Sequence, residues 1–358
     1  MAMYQVTRRS TIDRLSGPGA YRRNGGAAYG LSTRRNTRHH FAPPAAAPEP
    51  VTGPPAVPTL GIVTALPVEF AAMHALLDHP WPHHVVDDPG DYAVGTLPSP
   101  DPDRPHTVVL TRTGEPGDAA TAAACAGLVR GFGTVSVVVV VGVAAGVPAP
   151  AEPTKHVRLG DIVVASWGVV DGEHVEVTPH GVHLRGGYPR PSPRLSRAAN
   201  LLRAEESHRH RTPWLQWLDP AGRPELRDHT RPDGRTDVLP GDGSGTRVRH
   251  PHRVLSGHGP GLPKVHYGLI GSADRTFRDG RVRAAMSTQY DLRALELPGT
   301  GIGNTAFLNG LEWFVVRGVS DYGDGRAGRL WRPYAALAAA SYTRSMLARC
   351  PTLGPRPA

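Results

Sequence analysis

The stretch Val135–Val141 constrains the fold more than any other part of the chain. It is valine throughout except at Ser136, and it stops at Gly142-Val143-Ala144-Ala145-Gly146. β-Branched side chains lose rotamer freedom in a helix and pack well on a pleated surface. A continuous apolar run, rather than an alternating one, is the pattern of a strand buried on both faces. The run therefore reads as a central strand, and the glycines at its end read as a turn. Its extension to Val147 is still too short for a membrane span. No run of 18 apolar residues occurs anywhere, so neither a transmembrane helix nor a membrane partner is expected.

The same rhythm repeats on both sides. Leu60–Leu66 is a short apolar strand, and Pro67 suits the first turn of a helix that continues from Glu69 to Leu77. His106–Thr111 reads as a strand, Asp118–Arg130 as an alanine-rich helix, and Leu159–Ala165 as a turn followed by a strand. After a gap, Val265–Ile270, Asp291–Leu297 and Trp313–Val319 read as strands. Helices are expected near Asp279–Met286, at Gly299–Asn309 and at Pro333–Arg349. Strands alternating with helices indicate a layered α/β fold.

Two segments depart from this rhythm. Residues 1–57 are rich in Arg, Gly, Ala and Pro and have no hydrophobic pattern, so they read as a disordered tail. They hold no apolar h-region, and no secretory signal is expected. Residues 187–264 are dominated by Pro, Arg, His, Asp and Gly, with one helix expected over Pro193–Glu206; they read as a low-complexity surface insertion. The domain is thus expected to span 58–350, interrupted by 187–264, with a short tail at 351–358. The formal net charge of +9 sits in these two segments: residues 1–50 and 187–264 each carry +6, so the remainder is slightly acidic. This distribution points to solvated arginine rather than a specific nucleic-acid partner. His208, His210, His250 and His252 in the insertion read as solvated, and no cluster with metal-ligand spacing is seen. Two cysteines, Cys125 and Cys350, exclude a disulfide framework. A cytoplasmic location is expected.

Ligands of layered α/β folds gather at strand ends. Four such ends carry polar residues: Thr64-Ala65-Leu66-Pro67-Val68-Glu69, Gly271–Asp279, Ala294–Gly301 and Arg317–Asp324. Glu69 falls where a helix begins, a place that dipole compensation alone would explain. Glu296 interrupts an apolar segment, which is unusual unless its carboxylate is paired or used. Ser320-Asp321 stops a hydrophobic strand abruptly.

Taken in order, these segments, the glycine stretch Gly142–Gly146 and Leu159–Ala165 resemble the nucleoside phosphorylase and nucleosidase superfamily, on the branch of the methylthioadenosine/S-adenosylhomocysteine nucleosidases. Trp331-Arg332-Pro333-Tyr334 looks most like a subgroup that serves as effector modules in large proteins. The resemblance implies a three-layer α/β/α fold with a central mixed sheet. It also implies a small-molecule purine nucleoside or nucleotide as substrate, no cofactor or metal, and a homodimer. Glu69 matches the carboxylate that activates the attacking water, and Asp321 matches the acid that protonates N7 of the purine, with Ser320 as its positioning neighbour. Thr276 and Phe277 fall where the family binds the base; Ala144, Ala145 and Gly146 fall near base and sugar. Where the family reads Glu-Met-Glu, this chain reads Glu296-Leu297-Pro298. The second glutamate normally holds the ribose hydroxyls. Glu296 cannot simply replace it, since residues two apart on a strand are separated by about 6.6 Å.

The chemistry implied is hydrolysis of an N-glycosidic bond, with adenine the expected base. Cleavage builds positive charge on the ribose and negative charge on the base, and two carboxyl groups with these opposed tasks need different environments. An anionic Glu69 would repel phosphate, which favours water as nucleophile over a phosphorylase reaction. Phosphorolysis remains the alternative, as does a catalytically weak nucleoside-binding domain, the latter because of Pro298.

Overall fold

The valine run lies in the middle of a nine-stranded sheet. A computed structural model describes residues 57–356, apart from 116, 172–174, 179–180, 185–188, 210, 240–247, 254–260, 273–286, 288, 297–302, 304, 307 and 324–328. The strands are β1 (Leu60–Thr64), β2 (Asp78–His83), β3 (Tyr92–Leu97), β4 (His106–Arg112), β5 (Val137–Gly146), β6 (Ile162–Asp171), β7 (Val175–Thr178), β8 (Gly181–Leu184), β9 (Val265–Ser272), β10 (Leu292–Glu296) and β11 (Glu312–Asp321). The helices are α1 (Pro67–His74), α2 (Asp118–Gly131), α3 (Pro193–Arg209) and α4 (Arg332–Leu347). The sheet runs β10-β9-β6-β11-β5-β1-β4-β3-β2, and β7 and β8 form a separate hairpin. The chain adopts a three-layer α/β/α fold with a mixed central sheet. β4, β1, β5 and β11 are parallel neighbours, whereas β6 runs antiparallel to β11. β10 also pairs with the end of β5, so that β10, β9, β6, β11 and β5 close a ring.

Alternation along β5 divides its valines between two layers. Val137, Val139 and Val141 face α1, α3 and α4, while Val138 and Val140 pack with Cys125 and Leu128 of α2. None of the five is more than 3% exposed. Complete burial of such a side chain is worth roughly 1.5–3 kcal/mol, so this strand anchors both layers. α4 sits against β11 with unusual closeness because Ala335–Ala340 present only small side chains apart from Leu337. A Cβ at Gly318 would lie 1.9 Å from the Ala335 carbonyl oxygen, so no larger residue fits at that position of β11.

Three expectations need correction. The glycine stretch Gly142–Gly146 is not a turn: it continues β5, because β11 pairs with it on one side and β10 on the other. Residues 187–264 are not a loosely held surface segment where they are described. α3 places Leu195, Ala198, Ala199 and Leu202 in the core at helical spacing, and Trp214 and Leu226 follow them. Low average hydropathy hid this because α3 also carries several Arg and Glu residues. The end of the chain is not a free tail, since Leu353 is buried and the Arg356 N–H donates to the Thr134 carbonyl. β2 and β3 escaped prediction because Pro80, Pro82 and Gly95 interrupt their patterns. The helix expected at Asp279–Met286 and much of Gly299–Asn309 lie outside the described residues. Among the described residues no helix is long and apolar enough to cross a membrane.

Candidate active site

The parallel strands β1, β5 and β11 end side by side, and their ends carry the predicted carboxylates. β1 ends at Thr64, and Pro67 starts α1 with its fixed φ. Glu69 is the third residue of α1. Its Oε2 accepts the backbone N–H of Ala65 and of Leu66, each at 2.8 Å, which satisfies donors that the helix start leaves open. Helix capping accounts for that oxygen alone. Oε1 reaches across to β5 and accepts the Val143 N–H at 2.7 Å. Glu69 is only 3% exposed. Burial pushes its pKa above the usual carboxylate value, and the Arg317 charge and the three amides only partly offset this.

Arg317 completes the cluster. It projects from β11, where its register partner on β5 is Gly142. A Cβ on Gly142 would meet Arg317 Nη1 and Glu69 Oε1, each at 2.6 Å, so both side chains crowd over a position that only glycine leaves open. The Arg317 Nε donates to Oε2 of Glu296, the last residue of β10. Two carboxylates therefore flank one guanidinium, and all three residues are buried. Arg317 was not among the predicted site residues. The signal was available: it is the one charged residue inside the apolar run Trp313–Val319, the same kind of interruption that drew attention to Glu296.

Asp321 ends β11 beyond a register shift and pairs with Ala145 on β5. Its Oδ2 accepts the Ser320 hydroxyl at 2.8 Å and its Oδ1 accepts the Gly323 N–H at 2.9 Å. It is half-buried, unlike Glu69. Val143, which holds Glu69, is two residues before Ala145, so the two attachment points are about 7 Å apart along β5. Ala144, Ala145 and Gly146 fill that same stretch. The fold thus pairs Arg317 with Glu296, sets Glu69 beside Arg317 over Gly142, and places Ser320 and Asp321 further along the same strand ends. Thr276, Phe277 and Pro298 lie outside the described residues.

Residues 59–340 match the family model of the phosphorylase superfamily. This chain is a member of that superfamily. Its fold is similar to 5′-methylthioadenosine/S-adenosylhomocysteine nucleosidase of Neisseria meningitidis, solved in complex with methylthio-immucillin-A (17% identity, TM-score 0.54, 82% of this chain and 99% of that one). It is also similar to S-adenosylhomocysteine nucleosidase of Streptococcus pyogenes (18%, 0.55, 83% and 98%) and to futalosine hydrolase of Helicobacter pylori (15%, 0.53, 81% and 97%). In sequence it is 26% identical over 302 residues to a nucleotide-binding leucine-rich repeat-like protein of Hyaloscypha variabilis. That match takes in 81% of this chain but only 29% of the relative, so the chain corresponds to less than a third of that protein.

Proposed function

We propose that this superfamily member hydrolyses the N-glycosidic bond of a purine nucleoside or nucleotide, releasing adenine. The observation that carries the reading is the buried Glu69–Arg317–Glu296 cluster at the strand ends, with Asp321 beyond it on β11. Glu69 has a raised pKa, which makes it a better proton acceptor near neutral pH. It takes a proton from water as the oxygen attacks C1′ of the ribose. Arg317 keeps the Glu69 carboxylate aligned. Asp321 delivers a proton to N7 of the leaving base, so that the electron pair of the broken C–N bond comes to rest on a neutral purine. Ser320 orients Asp321 through its hydroxyl. Ala144–Gly146 form the adjoining wall for base and sugar, with Thr276 and Phe277 on the base.

Water is favoured over phosphate by charge. With Glu69 ionised, two carboxylates outnumber the single guanidinium, and an incoming phosphate dianion meets a net negative cluster. Purified chain is incubated with adenosine, methylthioadenosine, S-adenosylhomocysteine and ATP, with and without inorganic phosphate. Free adenine together with a sugar bearing a C1′ hydroxyl supports hydrolysis. A sugar 1-phosphate formed only with phosphate present would replace it with phosphorolysis, and no adenine at high enzyme concentration would remove the catalytic claim.

Pro298 favours a second reading, a nucleoside-binding domain with little turnover, since proline offers no carboxylate to the ribose. Ligand-induced stabilisation without base release is its signature. We further propose a cytoplasmic homodimer, which light scattering on the purified chain tests for its dimeric part.

A further inference from the structure

Beyond Tyr322, the residue after Asp321, lies a cavity of about 360 Å³. Arg158, Arg231 and Arg253 line it together with His250, Asp237 and Tyr334. Tyr322 links the wall of this cavity to the candidate active site, since it follows Asp321 in the chain and bonds to the lining residue Asp237. Its ring lies toward Gly146, and its hydroxyl donates to Asp237 Oδ1 at 2.6 Å. Gly160, also on the cavity wall, donates its N–H to the carbonyl of Val319, two residues before Asp321.

Among the described residues three arginines line this space and a single lining carboxylate, Asp237, answers them. Asp237 is already engaged by Tyr322 and by His250, whose Nε2 is 3.2 Å from Oδ1. Arg253 pairs with Asp161 at 2.7 Å. Arg158 donates to the Pro251 carbonyl, and Arg231 lies over the Trp331 ring at 5.2 Å. Among the described residues neither Arg158 nor Arg231 has a carboxylate partner. Burial and the nearby Arg253 charge make the ionised form of Arg158 less favourable, and Asp237 and Asp161 offset this only in part. Gathering guanidinium groups around a space is unfavourable unless an anion enters it, and their forked N–H groups match phosphoryl oxygens in pairs.

We infer that this cavity binds a phosphoryl group. The group comes either from the 5′ end of a nucleotide substrate, which rests on the hydrolase reading above, or from a free phosphate anion. The purified full chain is titrated calorimetrically with inorganic pyrophosphate, ATP and adenosine, and compared with Arg231→Ala, Arg158→Gln and Arg231→Lys. Arg231 is exposed, so its removal leaves the core intact. Pyrophosphate affinity is expected to fall roughly tenfold or more in Arg231→Ala and Arg158→Gln, and to recover in part in Arg231→Lys. ATP binding at least tenfold tighter than adenosine, and displaced by pyrophosphate, assigns the cavity to the substrate. Pyrophosphate binding with no advantage of ATP over adenosine assigns it to a free anion. Wild-type chain that binds neither pyrophosphate nor ATP, or variants that bind them as the wild type does, overturn the inference. Failure of the hydrolase reading looks different: no adenine is released, while pyrophosphate binding and its loss in Arg231→Ala persist.

Discussion

Gly142→Ala is the substitution that most directly tests the buried cluster. The added Cβ would lie 2.6 Å from Arg317 Nη1, 2.6 Å from Glu69 Oε1 and 2.8 Å from Glu69 Cδ. Comfortable contacts between such atoms are about 3.5–4.0 Å, so one or both side chains must retreat by about 1 Å. Neither can do so freely. Glu69 is tethered by three backbone amides and Arg317 by Glu296. Overpacking of this kind costs about 1–3 kcal/mol. In a domain of this size each kcal/mol lowers the melting temperature by about 2–4 °C. A shift of about 1 Å in a positioned catalytic group costs on the order of 10²-fold in rate. Gly114→Ala is the control, since nothing lies within 4 Å of its added Cβ. Calorimetric melting and adenine release are measured on both variants. Gly142→Ala matching Gly114→Ala in melting temperature and rate would refute the placement of Glu69 and Arg317 over that glycine.

Asp321→Asn and Glu69→Gln should each cut base release by about 10²–10⁴-fold with nucleoside binding retained, as judged by rate against calorimetric affinity. In the wild type the rate should climb with pH through a midpoint above 4.5, because Glu69 must lose its proton to act and burial holds that proton. Asp161 is fully buried; burial alone would raise its pKa, but Arg253, His266 and the Lys264 amide outweigh that and hold it to about 2. Its contribution to stability is therefore present above the ordinary value of 3.8 and fades as pH falls toward 2. Asp161→Asn should destabilise by about 3–5 kcal/mol in urea titrations at pH 7, and by much less at pH 2. Glu206 behaves in the opposite sense: burial raises its pKa to about 7, against the pull of Lys264 and Arg203. Its protonated form favours the fold, so stability declines as pH rises from 4.5 through about 7. Glu206→Gln should melt above the wild type at pH 8 and beside it at pH 4; a constant gap would contradict the assignment.

The framework of the fold was legible because period and composition agreed locally. β1, β4, β5, β9, β10, β11, α2 and α4 each lie within a few residues of the expectation, and each has a continuous apolar or small-residue pattern. The strands β2 and β3 were not legible, since Pro80, Pro82 and Gly95 break the side-chain pattern that marked the other strands. At the site, Glu69, Glu296 and Asp321 stood out as acids where the pattern called for apolar or capping residues. Arg317 was passed over although it interrupts its strand in the same way. What no linear reading could supply is the pairing: 21 residues separate Arg317 from Glu296. Another 74 separate Glu69 from Val143. Only the placement of β10, β11 and β1 around β5 in the sheet brings them to one place.

Composition and contacts point in opposite directions in the segment 187–264. Its proline, arginine and histidine content argued for a solvated excursion. Yet His229 Nε2 lies 3.1 Å from the carbonyl of Val68, the residue before Glu69. Asp237 holds Tyr322, the residue after Asp321, and the Thr236 hydroxyl accepts the Trp331 indole N–H at 2.9 Å just before α4. His250, expected to be solvated, stands between His156 and Asp237, and burial, His250 and Arg158 together pull the His156 pKa down to about 4. These contacts border both carboxylates assigned to catalysis, from the α1 side and from the β11 side. A polar segment that made only solvent contacts would leave no trace there on deletion. Replacing Asp237 with Ala should instead loosen Tyr322, lower the melting temperature and reduce adenine release together. Unchanged melting and turnover would return the segment to the status that its composition suggested.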